Sequence, residues 1–214
     1  MKNSSILLAV AAAMGFSAST LSAATVFSWD GGNTANTGAD GGSGTWNASN
    51  TNWVNSGNSN VAWPASGEDN EAVFGGTAGT VTVSGTVNTS KVTFSTSGYV
   101  LQGGTVNMNG ATPTIEAGTG VSATISSQIT GNAGLTKAGN GTVILSGTNT
   151  YTGGTAISAG TLQVSGGAAL ADNGSVTLNA AGATCSSTTA KPSVVSPGGS
   201  ALTPQAISPL EPIP

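Results

Sequence analysis

The sequence has no arginine, no histidine, a single cysteine and very little charge. Four lysines (Lys2, Lys91, Lys137 and Lys191) stand against eight acids, charged residues make up 6% of the 214 positions, and the formal net charge is −4. Ordinary globular chains carry about 25% charged residues, so much of the usual surface chemistry is missing. With no basic patch to neutralise phosphates, nucleic acid is excluded as a partner. The lack of histidine removes the side chain most used for proton transfer near neutral pH, and the lack of arginine removes the best anion clamp. Most enzyme classes fall away on these grounds, the chain is read as a non-enzyme, and no cofactor is expected. No Cys/His set is present to hold a metal, and Cys185 has no partner for an internal disulfide. What remains is a chain with 33 glycines, rich in Thr, Val, Asn and Ser, the composition of short strands and tight turns.

Residues 1–24 read as a secretory signal: a positive start at Lys2, an apolar run from Ile6 through Ala13, and Ser22-Ala23-Ala24 before a cleavage point at Thr25. The apolar run falls short of the roughly 20 residues that span a bilayer. The mature chain is therefore expected to be exported, without a stable membrane span. It then divides into three parts. Residues 25–71 hold all four tryptophans, Trp29, Trp46, Trp53 and Trp63, among Asp, Asn, Gly and Ser, and suggest an N-terminal cap. Residues 72–182 alternate apolar and polar positions in runs of four to six, the pattern of half-buried strands. Residues 183–214 carry six of the eight prolines and suggest a disordered tail.

Several of the runs share the template Gly-[Thr/Ser]-[Val/Leu]-x-[Val/Leu/Met], beginning at Gly79, Gly104, Gly141, Gly160 and Gly174, with a looser copy at Gly120. Their spacing centres near twenty residues, about one coil of a stacked β-solenoid. One five-residue strand cannot bury its own apolar face, but stacked copies build a continuous interior. The competing architecture is a two-sheet sandwich with hairpins, for which Asn140-Gly141 and Asn173-Gly174 are the turn signals. Within this frame Val143, Leu145, Ile157, Leu162 and Val164 are expected to face inward, and Thr142, Ile144, Thr161 and Gln163 outward. Asn149 to Gly153 is read as a corner in which Asn149 bonds its own backbone and Tyr151 packs over the turn. Lys137 is read as a solvated strand end that discourages edge pairing.

The stretch GLTKAGNGTVILSGTNTYTGGTAISAGTLQV, Gly134 to Val164, resembles the autotransporter-associated β-strand repeat, also called the passenger-associated transport repeat. The likeness rests on Gly134-Leu135, Lys137, Gly139, Gly141-Thr142, Leu145-Ser146-Gly147, Asn149 to Gly153, Thr155, Ile157, Gly160 to Leu162 and Val164. The segment from Trp29 to Gly104 resembles, more loosely, the secreted proteins that carry such repeats. The resemblance implies an all-β, right-handed parallel β-helix on a secreted or cell-surface chain, with the repeat at 134–164 helping the passenger to fold and cross the outer membrane. No part of the chain has the alternating strands and aromatic girdles of a membrane β-barrel, so an anchor would belong to a missing C-terminal part.

The change of composition after residue 183 suggests a truncated or frameshifted copy. Synonymous codons exist by which Cys185 to Ser196, read one base earlier, become Leu-Gln-Leu-Asn-Asn-Ser-Glu-Thr-Val-Gly-Ser-Leu, a further alternating strand.

Two candidate sites follow. Glu68, Asp69 and Glu71 form an acid cluster of the kind a glycosidase uses, although a turn leading into a strand at Ala72 explains it equally. Trp46, Trp53 and Trp63 are candidate glycan contacts, since exposed indoles stack on sugar rings; as a buried plug they would instead close the end of the solenoid. Three functions are therefore in view. The foremost is an extracellular structural stalk that associates with surface polysaccharide or other passenger chains. The others are a carbohydrate-binding module using the tryptophans and a remnant of a β-helix polysaccharide lyase or hydrolase.

Overall fold

The computed structural model describes residues 24–31, 38–65, 69–166, 168–170, 175–187 and 194–195. The signal segment, apart from Ala24, and most of the proline-rich tail lie outside these residues, as do Glu68 and Gly174. Every regular element among the described residues is a strand. The first five are β1 (Thr25–Trp29), β2 (Gly44–Trp46), β3 (Trp53–Val54), β4 (Asn60–Val61) and β5 (Asn70–Phe74). Two long strands, β6 (Thr80–Thr89) and β8 (Val100–Met108), flank β7 (Lys91–Phe94). Then come β9 (Thr114–Ala117), β10 (Ser122–Ile125), β11 (Gln128–Thr130), β12 (Leu135–Ala138) and β13 (Thr142–Leu145). The series closes with β14 (Thr155–Ile157), β15 (Thr161–Val164), β16 (Val176–Leu178), β17 (Thr184–Ser187) and β18 (Val194–Val195).

From β5 onward the strands alternate between two sheets, except that β10 and β11 fall in the same one. The ten-stranded sheet runs β18-β16-β14-β12-β9-β7-β5-β1-β3-β4, and the eight-stranded sheet runs β17-β15-β13-β10-β8-β6-β2, with β11 paired to β8. Neighbours are parallel throughout except at β1–β3 and β3–β4. Parallel neighbours rule out the hairpins of a sandwich; the fold is a stacked β-solenoid. The stacking begins before residue 72, because β1 already pairs in parallel with β5, and β2 with β6.

Parallel pairing in strict register puts like positions above one another. In one sheet Val81, Leu101, Ile125, Leu145 and Val164 form an inward column, and Ala123, Val143 and Leu162 a second. All eight are at most 2% exposed. Full burial of each Val, Leu or Ile contributes about 1.5–3 kcal/mol, so the columns are the main source of cohesion. The expected inward set of Val143, Leu145, Ile157, Leu162 and Val164 is buried, and Thr142, Ile144, Thr161 and Gln163 stand half-buried on the outer face.

Two departures from the template reading have physical causes. A shift of register between Val83 and Thr86 bends β6, and its second half runs alongside the second half of β8 and then β11, adding a third face whose inward residues are Val87, Val106 and Ile129. The last template copy also changes sheet: the earlier members lie in the eight-stranded sheet, whereas β16 lies in the ten-stranded one. A gap of 14 residues rather than about 20 advances the chain by part of a coil. The next place in the eight-stranded sheet is taken by β17, which lies past residue 182. It sets Cys185 over Leu162 and Ser187 over Val164.

Candidate functional site

The four tryptophans converge on the N-terminal end of the stack. Trp29, Trp46 and Trp53 are fully buried and Trp63 is 2% exposed. Ring centroids lie 5.0 Å apart for Trp46–Trp63, 5.1 Å for Trp46–Trp53 and 4.6 Å for Trp53–Trp63, with edge-on or tilted planes. Aromatic quadrupoles favour such arrangements over face-to-face contact. The cluster continues through Phe74, which stacks on Phe94 at 5.3 Å and 22°. Trp29 donates its indole N–H to the Gly42 carbonyl at 2.8 Å, and Trp63 to the Asn88 carbonyl at 2.9 Å. The candidate glycan contacts Trp46, Trp53 and Trp63 therefore turn toward one another, and their ring faces are covered by protein.

Of the acid cluster, Asp69 and Glu71 are described and have different surroundings. The strand starts at Asn70 rather than Ala72, so Glu71 belongs to β5, and its carboxylate takes the Lys91 ammonium at 3.1 Å and the Thr93 hydroxyl at 2.7 Å. Glu116, in β9, meets the same ammonium at 2.9 Å. Burial alone would lower the Lys91 pKa, but hydrogen bonds and charge from Glu116 and Glu71 outweigh it and raise the value. Asp69 remains an exposed turn residue. The described residues hold no group of three or more His, Cys, Asp or Glu suited to a metal ion.

Lys137, Asn149 and Thr155 are buried polar residues of the repeat segment. Lys137 is not at a solvated strand end, as its charge suggested: it is 1% exposed. Its position in β12 stacks between Ile115 and Ile157 in an inward column. The aliphatic stem extends that column, and the ammonium reaches the corner, where it donates to the carbonyls of Ala138 (2.8 Å), Gly139 (2.7 Å) and Ala159 (3.1 Å). The last of these belongs to the following coil. Burial lowers its pKa to about 8, with the charge of Glu116 acting in the opposite direction. The corner is tight enough to require glycine: Gly139 has φ +73°, and a Cβ there would run into the Ala117 carbonyl.

Asn149 differs from expectation in the same way. Instead of bonding its own backbone it joins its neighbours: its Oδ1 accepts from the Ile129 N–H at 2.8 Å, and its Nδ2 donates to the Ala169 carbonyl at 2.6 Å. Tyr151 is 2% exposed, and its hydroxyl shares a 2.7 Å hydrogen bond with that of Thr155, which is 3% exposed. Side chains of one short stretch thus satisfy backbone groups before and after it. A buried polar group left unpaired costs about 1–3 kcal/mol, and the bonds to Ile129, Ala159 and Ala169 reach groups on adjacent coils. The sequence suggests a solvated strand end for Lys137 and local turn chemistry for Asn149 and Tyr151; the signal against the first is that Lys137 shares the inward parity of Leu135.

Residues 135–164 match the Passenger-associated-transport-repeat family, so the chain carries an autotransporter-associated repeat. It is also 46% identical over 129 residues to the "Adhesin BmaC autotransporter" of Brucella suis biovar 1 (strain 1330). The alignment covers 58% of this chain and 4% of that protein. No solved structure matches. Both likenesses support a surface protein of the autotransporter passenger type. No helix among the described residues is long and apolar enough to cross a membrane.

Proposed function

We propose that the chain is a secreted or surface-displayed structural stalk without enzymatic activity, in which the transport repeat fixes coil register and thereby aids folding and export. The observation that carries this reading is the bonding of Lys137 and Asn149 to backbone groups of adjacent coils. A chain that folds as it emerges from a membrane has to choose one stacking register among many similar Thr/Val strands. A coil that leaves buried polar groups unpaired in any other register supplies that choice. The covered aromatic cluster at residues 25–71 would then be the cap of the stalk. The relative's name, an adhesin, extends the proposal to attachment at surfaces.

Export of the intact precursor, fused to an autotransporter barrel and displayed on cells, tests this. The Lys137→Met/Asn149→Ala double variant should reach the surface at a several-fold lower level and be cut faster by added protease. Wild-type surface level and protease resistance for that variant would overturn the role assigned to the repeat.

A further inference from the structure

A cleft of about 490 Å³ opens at the corner where coils enter the ten-stranded sheet, lined in part by Asp69, Asn107, Asn109, Ala111 and Asn132. These residues come from three separate coils. Asp69 precedes β5, Asn109 and Ala111 lie between β8 and β9, and Asn132 lies between β11 and β12. The coil between the first two contributes a single turn residue, Ser90, between β6 and β7. The cleft therefore runs along the stack rather than around it, past side chains spaced by coils about 4.8 Å apart. Its volume lies within the roughly 300–1,000 Å³ typical of small-molecule sites.

The polar side chains of the lining are three amides and one carboxylate, beside Met108, Gly110, Ala111 and Ala133. An amide presents a donor and an acceptor side by side, a match for neighbouring hydroxyls on a sugar ring, and a carboxylate accepts from two hydroxyls at once. Asn107 is already oriented: its Nδ2 donates to Asn88 Oδ1 at 2.8 Å and its Oδ1 accepts from Thr130 Oγ1 at 3.0 Å. One N–H and one lone pair of that amide remain for a ligand. No cationic side chain lines the cleft, and a chain of net charge −4 without arginine repels uronic acids, sulfated glycans and phosphates.

We propose that this cleft binds a neutral, linear polysaccharide lying parallel to the solenoid axis. The polar side chains are strung along the stack, with Asp69 and Asn109 two coils apart and Asn109 and Asn132 one coil apart, so an extended chain of sugars lying along the cleft reaches them in turn. The site is distinct from the buried tryptophans. It deepens the surface reading and takes only its biological setting from it, because binding by the purified chain is measured independently of export.

The test is titration of the isotope-labelled chain with cellohexaose, xylohexaose and mannohexaose, followed by backbone amide signals, with trigalacturonate and calcium chloride as separate arms. At least one neutral oligosaccharide should shift the signals of residues 107–111 and 132–133. Asn132→Ala, at an exposed position, and Ala111→Trp, which fills the cleft, should each weaken binding at least tenfold with melting unchanged. The proposal is overturned if no neutral oligosaccharide shifts these signals or if the shifts map elsewhere. It is equally overturned if only calcium or the acidic sugar produces them, or if both variants bind as the parent does.

Discussion

The aromatic end and the transport-repeat coil solve the same problem, closing a thin stack of strands, by opposite means. At the aromatic end Trp29, Trp46, Trp53, Trp63 and Phe74 fill the interior with ring area. Two of the indole N–H groups, those of Trp46 and Trp53, have no hydrogen-bond partner. In the repeat coil the interior is aliphatic, and Lys137, Asn149, Tyr151 and Thr155 are buried with partners in hand. Ring area is non-directional and tolerates small rearrangements. Hydrogen bonds from a buried side chain are met in one register only. On the proposed reading, the first region adds cohesion to that of the aliphatic columns and the second supplies alignment.

Four substitutions separate the two contributions. Trp53→Ala removes a large buried ring and should cost about 3–5 kcal/mol, measured by urea unfolding; a loss below 1 kcal/mol would mean that the cluster adds little cohesion. Asn149→Ala leaves the Ile129 N–H and the Ala169 carbonyl unpaired, at about 1–3 kcal/mol for each group. Hydrogen exchange should rise at those coils and leave the aromatic end protected. Cys185→Leu places an aliphatic side chain over Leu162 and should gain about 1–2 kcal/mol, since the present thiol is only partly covered. A neutral or negative effect would show that β17 adds no packing.

The fourth is a slope rather than a step. In the unfolded chain Lys137 titrates near its ordinary 10.5, and in the folded chain near about 8. Between these values the unfolded state binds more protons, so this group's contribution is fully present above the unfolded value and is lost as pH falls through about 8. This group's share of the unfolding free energy should therefore rise with pH across that window, against the opposite slope of Cys185, Tyr99 and Lys91, so the difference between the wild type and Lys137→Met should grow in the wild type's favour as pH rises.

Strand positions were the most readable part of the sequence, because alternation of Val, Leu and Thr is a local pattern that stacking rewards directly. The columns through Val143, Leu145 and Leu162 follow from it. Lys137 was misread because charge normally marks the surface; here a long stem in an apolar column ends at carbonyls that only the folded corner brings together. Asn149 was misread for a related reason, since its partners, Ile129 and Ala169, are each 20 residues away. Of the acids at 68–71, Asp69 stays in an exposed turn while Glu71 pairs with Lys91, and Glu68 lies outside the described residues. The cleft beside Asp69 and Asn132 was illegible from sequence, because it is made by turns of unequal length in different coils.

The alternation of sheets also limits how this chain can change its length. Each half of a coil takes its neighbours from a different sheet, as β16 and β17 illustrate. Duplication or loss of one full circuit keeps every later strand beside its proper partners. A cut of half a circuit sends all downstream strands to the wrong side, where corner glycines and buried amides meet no match. Recombination among genes for such stalks should therefore preserve phase as strictly as a reading frame does, but with a unit of about twenty residues.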